Sequence, residues 1–163
     1  MQFLVAAVIL IGVLTVFNLL LTFGIVRRLR ESPPAPALPP LTAPLGAEVG
    51  AFSAVTTSGE TITSLPDGTL VAFLSPGCAP CHEKLPDFVE YAGRAAVRPL
   101  AVLIDGADDP ALAARLEAVV PVVVEPRDGS LTEAFQITGT PAFVTVEGGR
   151  VALLGLPPVA VGA

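Results

Sequence analysis

The sequence predicts an α/β domain, a mixed central sheet flanked by helices, carried behind an N-terminal transmembrane helix. Three observations predict this. Phe3 to Val26 contains no charged residue. Two short apolar runs, Leu70 to Ser75 and Pro99 to Ile104, are each followed by a segment of helical periodicity. The chain then closes with two apolar runs separated by Gly148-Gly149, the pattern of a hairpin. Strand, helix, strand, helix and a closing hairpin make a sheet that is parallel in part and antiparallel in part, with helices on its faces.

Taken in order, residues 1–30 read as an anchor with a basic flank. About 20 apolar residues rising ~1.5 Å each cross the hydrocarbon core of a bilayer, and only Thr15, Asn18 and Thr22 interrupt the run. A cleaved signal peptide is the alternative. It would have a basic start, a shorter apolar core and a small-residue cleavage site, whereas here arginines follow the run. Arg27, Arg28 and Arg30 stand on the C-terminal side and no Lys or Arg precedes the run, so the positive-inside rule predicts a cytoplasmic domain. Residues 31–45 are rich in Pro and Ala, which favours an extended, stiff spacer over a helix. The remaining residues, 46–163, form the domain.

Within it, Phe52 to Thr57 and Glu60 to Thr63 flank Ser58-Gly59 and read as a hairpin. Leu70 to Ser75 reads as a buried strand. Pro80 to about Ala95 places Leu85, Phe88, Val89 and Ala92 on one helical face. Pro99 to Ile104 is a second buried strand, followed by a helix near Pro110 to Ala118. In Val119 to Glu125, Pro121 confines a strand to an edge or to its own start. Ser130 to Phe135 suits a helical turn, and Ala142 to Val146 with Arg150 to Leu154 make the closing hairpin.

Charge and cysteine content narrow the function. All fifteen Asp and Glu lie at Glu31 or later, against six basic residues there, so everything after the anchor carries −9. An acidic domain repels phosphate, which argues against nucleic-acid binding. The two cysteines, Cys78 and Cys81, are too few and too close for a disulfide scaffold. A structural zinc site needs four ligands, and one CxxC with a single His does not reach that number, so no metal is expected. No cofactor is expected either.

Ser75-Pro76-Gly77-Cys78-Ala79-Pro80-Cys81 lies between a predicted strand and a predicted helix. A cysteine just ahead of a helix meets unsatisfied N–H groups and the positive end of the helix dipole, which favour thiolate over thiol. Pro80 suits the first turn, where its missing N–H costs nothing. Cys81, one turn further, is placed to resolve a mixed disulfide formed at Cys78.

FLSPGCAPCHEKLP resembles the active-site segment of thioredoxin-like proteins: an apolar strand, CxxC, and a proline five residues after the second Cys, here Pro86. ITGTPAFVTVEGGRVALLG is similar to their second signature, and the resemblance implies a cis peptide at Thr140-Pro141 facing the disulfide. The leading hairpin and the anchor resemble the TlpA-type branch, and FLSPxCxxC is similar to its methylamine-utilisation accessory thioredoxins. Together the likeness spans about Gly46 to Gly155. It implies a membrane-tethered thiol–disulfide oxidoreductase with Cys78, Cys81 and Pro141 at its centre, supported by Pro80, Thr140, His82 and Pro86. Its partners would be protein thiols and disulfides together with a membrane electron donor. It also implies an extracytoplasmic domain, opposite to the arginine rule. The sequence departs from the family at Ala72, where thioredoxin has a buried Asp, and at Gly77, the usual place of a tryptophan. Glu83 and Asp105 are substitutes for that Asp only if buried, and both suit ordinary surface or strand-end positions. The stretch after Gly155 is too short and Pro-rich for the family's C-terminal helix.

Two other functions stand against this one. Cys78-Ala79-Pro80-Cys81-His82 also spells CxxCH, the attachment motif of c-type haem, with His82 as proximal ligand. The sole Met is Met1 and no second His exists, so the usual distal ligands are missing. A non-catalytic adaptor with this fold is the third class. Retention of both cysteines and Pro141 argues against it. A peroxidase would be expected to place a basic residue beside its reactive Cys, and none flanks Cys78.

Overall fold

The computed structural model describes residues 12, 14–19, 41–106 and 109–157, which fall into two separate units divided after Leu38. In the first unit, residues 14–19 are helical, with Leu14, Val16, Phe17 and Leu19 exposed. The rest of the expected anchor and residues 31–40 of the spacer lie outside the described residues. No helix among the described residues is long and apolar enough to cross a membrane.

The second unit is built on a five-stranded mixed sheet. Its elements are β1 (Ala54–Val55), β2 (Thr61–Ile62), β3 (Thr69–Leu74), α1 (Ala79–Ala92), β4 (Leu100–Ile104), α2 (Pro110–Glu117), β5 (Val122–Glu125), α3 (Ser130–Ala134), β6 (Ala142–Glu147) and β7 (Arg150–Leu154). Strand order is β5-β4-β3-β6-β7, and β1 and β2 form a separate antiparallel pair. β3 runs parallel to β4, and β4 to β5, through the helical crossovers α1 and α2. β6 is antiparallel to β3 and β7 to β6.

Every residue of β3 and β4 is buried, because successive side chains enter different cores on opposite faces of the sheet. Val71 and Phe73 join Val102, Ile104, Val123, Val144 and Val146 on the face covered by α3, where the Phe73 and Phe135 rings lie 5.3 Å apart. Leu70, Ala72 and Leu74 join Ala101, Leu103 and Phe143 on the face covered by α1 and α2 through Cys81, Leu85, Phe88, Leu112 and Leu116. This two-sided burial makes the strands read as unbroken apolar runs.

The element limits have local causes. α1 stops at Ala92, earlier than the periodicity suggests, because Gly93 caps it with its N–H bonded to Val89 O. α2 is capped by Asp109, whose side chain accepts from Leu112 N at 3.0 Å, with Pro110 in the first turn. β5 begins only at Val122, since Val119 and Val120 bond back to Leu116 O and Pro121 has no N–H to give. As Pro121 indicated, β5 is an edge strand.

Both sheet edges are partly covered by the segment ahead of β3. Thr57 N donates to Val122 O and Thr56 bridges Val123, so the β1–β2 hairpin folds over β5. At the other edge Glu48 bridges Arg150, Gly46 N donates to Val151 O, and the Arg150 guanidinium bonds the Glu48 carboxylate. Such covering blunts the open hydrogen-bonding edge of a sheet. The packing includes the end of the Pro/Ala-rich stretch, because Thr42 and Ala43 are buried and Ala43 N donates to Phe135 O at 2.9 Å. At the far end Leu153 and Leu154 are exposed and Leu156 packs on the α1 side. Residues 158–163, on which the expectation about a C-terminal helix falls, lie outside the described residues.

Candidate functional site

β3 ends at Leu74, and Ser75, Pro76 and Gly77 turn the chain so that Cys78 N donates to Ser75 O at 3.2 Å. Cys78 then adopts an extended conformation as the N-cap of α1, and Pro80 falls in the first turn, as its missing N–H predicts. Cys78 and Cys81 form a disulfide with their Cα atoms 5.2 Å apart. Cys81 is 4% exposed and belongs to the core on the α1 face; Cys78 is half-buried at its margin, between exposed Gly77 and Ala79. Cys78 is thus partly exposed, and Cys81 lies a turn deeper.

Cys81 N points at Cys78 Sγ, 3.2 Å away. When the disulfide opens, negative charge left on Cys78 meets this N–H and the positive end of a 14-residue helix. Among the described residues, neither of the expected substitutes, Glu83 and Asp105, lies below Cys81. Ala72 is fully buried in the core that holds Cys81, Glu83 is exposed, and Asp105 pairs with Arg127 at 2.8 Å on the surface.

Thr140-Pro141 is a cis peptide. β3 and β6 pair Phe73 with Ala142, so the same register continued one step sets Pro141 opposite Leu74, at the end of the sheet from which the Cys78 loop departs. Ser75 and Thr140 line one small cavity of about 100 Å³, together with Thr138, Gly139, Ile137 and Arg127. Phe143, two residues past Pro141, shares the core of Cys81.

The remaining site residues have distinct places. The exposed His82 ring bonds the Pro76 carbonyl oxygen at 2.9 Å, tying the turn before Cys78 to the helix after Cys81. A haem axial ligand would need that ring turned to a macrocycle. Pro86 sits inside α1 and cannot donate to the His82 carbonyl, so α1 lacks one bond of its ladder just beyond the disulfide.

Glu125 went unflagged in the sequence. It ends β5, is 8% exposed, and accepts from Leu131 N, Thr132 N and Thr132 Oγ1 at 3.2, 2.7 and 2.6 Å. Gly129, the N-cap of α3, has no side chain to cap the helix, and Glu125 supplies the missing acceptor from another element. A cap residue remote in sequence leaves no local motif to find.

No family model matches the sequence, and no curated protein matches it. Solved structures do share the fold. They include the thioredoxin domain of a thiol-disulfide oxidoreductase from Bacteroides vulgatus, 17% identical over 70% of this chain and 89% of that one, with a TM-score of 0.57. A thio-disulfide isomerase from Thermus thermophilus is 16% identical over 72% and 89%, with a TM-score of 0.57. StoA from Bacillus subtilis is 18% identical over 68% and 90%, with a TM-score of 0.53. The chain therefore has the thioredoxin-like fold, with a CxxC disulfide at the N-terminus of its first crossover helix. In this chain Gly77 precedes the first cysteine, and Ala72 lies in the core that holds the second.

Proposed function

We propose that this protein is a membrane-tethered thiol–disulfide oxidoreductase that exchanges disulfides with protein substrates through Cys78 and Cys81. The observation that carries the reading is the disulfide at the mouth of α1, with Cys78 half-buried and Cys81 in the core. In the reduced protein the Cys78 thiolate attacks a substrate disulfide and forms a mixed disulfide, releasing one substrate thiolate. The Cys81 thiolate then attacks Cys78 Sγ, frees the second substrate thiolate and closes the Cys78–Cys81 disulfide. Two electrons pass to the substrate, which takes up two protons from water. The reverse sequence oxidises a dithiol.

Resemblance to the TlpA-type branch supports the reducing direction, an extracytoplasmic domain and a membrane electron donor that restores the dithiol. The uncharged run from Phe3 to Val26 supports the tether. Reduction of insulin by the wild type and its loss in Cys78→Ser tests the activity. Turnover in neither protein would favour the adaptor reading. The equilibrium of the disulfide with glutathione gives the direction of electron flow. A reporter fused after Ala163, active on one side of the membrane only, gives the compartment.

A further inference from the structure

The chain enters the domain beside the loop that leads into Pro141. Leu41 O accepts from Thr138 N at 3.0 Å, and Ala43 N donates to Phe135 O at 2.9 Å. Thr42 and Ala43 are buried, so the backbone on the C-terminal side of Leu41 is held on the domain. Between these anchors the Leu41 side chain lies against Gly139, so closely that a Cβ there would fall 2.7 Å from Leu41 Cδ2. Gly139 and Thr140 lead directly into Pro141, and both share a cavity with Ser75, which opens the turn to Cys78. Leu41 nevertheless remains 47% exposed. It is a large apolar side chain, fixed through its backbone, presented beside the loop that leads into Pro141, at the sheet end from which the Cys78 turn departs.

We infer that Leu41 is a specificity-determining residue: it forms a wall of the substrate groove and favours substrates with an apolar residue next to the cysteine that Cys78 attacks. A protein segment joined to Cys78 lies over the margin shared by the Cys78 turn and the Thr138–Pro141 loop, and Leu41 borders that margin. An apolar neighbour of the substrate cysteine covers the exposed part of Leu41, whereas a polar neighbour loses water there without gaining a partner. The inference rests on the exchange reaction proposed above.

The test uses full-length protein in detergent and two synthetic peptide disulfides, identical except for Leu or Ser beside the cystine. Hydroxyethyl disulfide serves as a small substrate without flanking residues. The wild type should favour the Leu peptide about fivefold in kcat/KM, through KM, a ratio of the size that partial burial of one leucine brings. Leu41→Ala should bring the ratio close to one and leave hydroxyethyl disulfide turnover unchanged. Leu41→Met should restore most of the preference. Equal use of both peptides by the wild type, or a preference untouched in Leu41→Ala, overturns the assignment while leaving the exchange reaction standing. An equal loss on all three substrates in Leu41→Ala also overturns it, because that is the mark of a purely structural residue. A wild type that reduces none of them removes the functional reading and this inference with it.

Discussion

Replacing Glu125 by alanine should cost about 3–4 kcal/mol of stability. The carboxylate has three buried donors: the N–H groups of Leu131 and Thr132, at 3.2 and 2.7 Å, and the Thr132 hydroxyl at 2.6 Å. Each donor stranded without water or partner costs ~1–3 kcal/mol. A strict sum overstates the loss, because the truncated side chain leaves room for water to reach some of them, and because desolvating the charge already costs free energy in the native state. Glu125→Gln keeps the shape and one carbonyl acceptor but aims an amide at a donor, so about 2 kcal/mol is expected. Exposed Glu133, on the same short helix, is the control, and its alanine variant should stay within ~0.5 kcal/mol of wild type. Urea unfolding followed by far-ultraviolet circular dichroism, with the disulfide intact, reads these differences. At ~1–2 kcal/mol per M of urea, Glu125→Ala should move the midpoint down by about 2 M. A midpoint within experimental error of wild type would refute the view that this carboxylate holds α3 in place of an N-cap side chain.

Two further changes probe the same packing. Gly129→Ala should destabilise by a comparable 2–4 kcal/mol, since its Cβ would lie 2.3 Å from Glu125 Cδ and the bonded carboxylate has nowhere to retreat; the same urea titration measures it. Thr145→Val should be neutral or stabilising by up to about 1 kcal/mol, because the Thr145 hydroxyl is buried without a hydrogen-bond partner and valine has nearly the same shape; a loss above ~1 kcal/mol would show that the hydroxyl is bonded in solution.

The parts of the fold that follow from local pattern were legible in the sequence. Leu70–Leu74 and Leu100–Ile104 are apolar without interruption because both sides of the sheet are cores, and the structure makes both strands central. Cys78, Cys81 and Pro80 could be placed because a strand run, a proline suited to a first turn and a helical period bracket them within a short stretch. Thr140-Pro141 was reached through resemblance alone, since proline permits a cis bond without requiring one. What sequence reasoning missed depends on contacts between residues far apart. Glu125 serves a helix in the next segment, and its environment is set by Leu131 and Thr132. Thr42 and Ala43 carry no periodic signal within a Pro/Ala-rich stretch, yet they are buried, and Ala43 bonds Phe135 just after α3. His82 reads as a haem ligand from its neighbours in the CxxCH motif, while in space its ring joins Pro76.

Cys78 and Cys81 are unequally exposed, and trapping the covalent intermediate tests the consequence most directly. Cys81→Ser, reduced and then mixed with a peptide disulfide, should accumulate one peptide per protein, joined to Cys78 and located by peptide mapping under non-reducing conditions. Cys78→Ser, treated alike, should accumulate almost none, because Cys81 is 4% exposed and sits in the core beneath α1. Equal labelling of the two variants, or adduct formation mainly through Cys81, would contradict the assignment of Cys78 as the attacking sulfur.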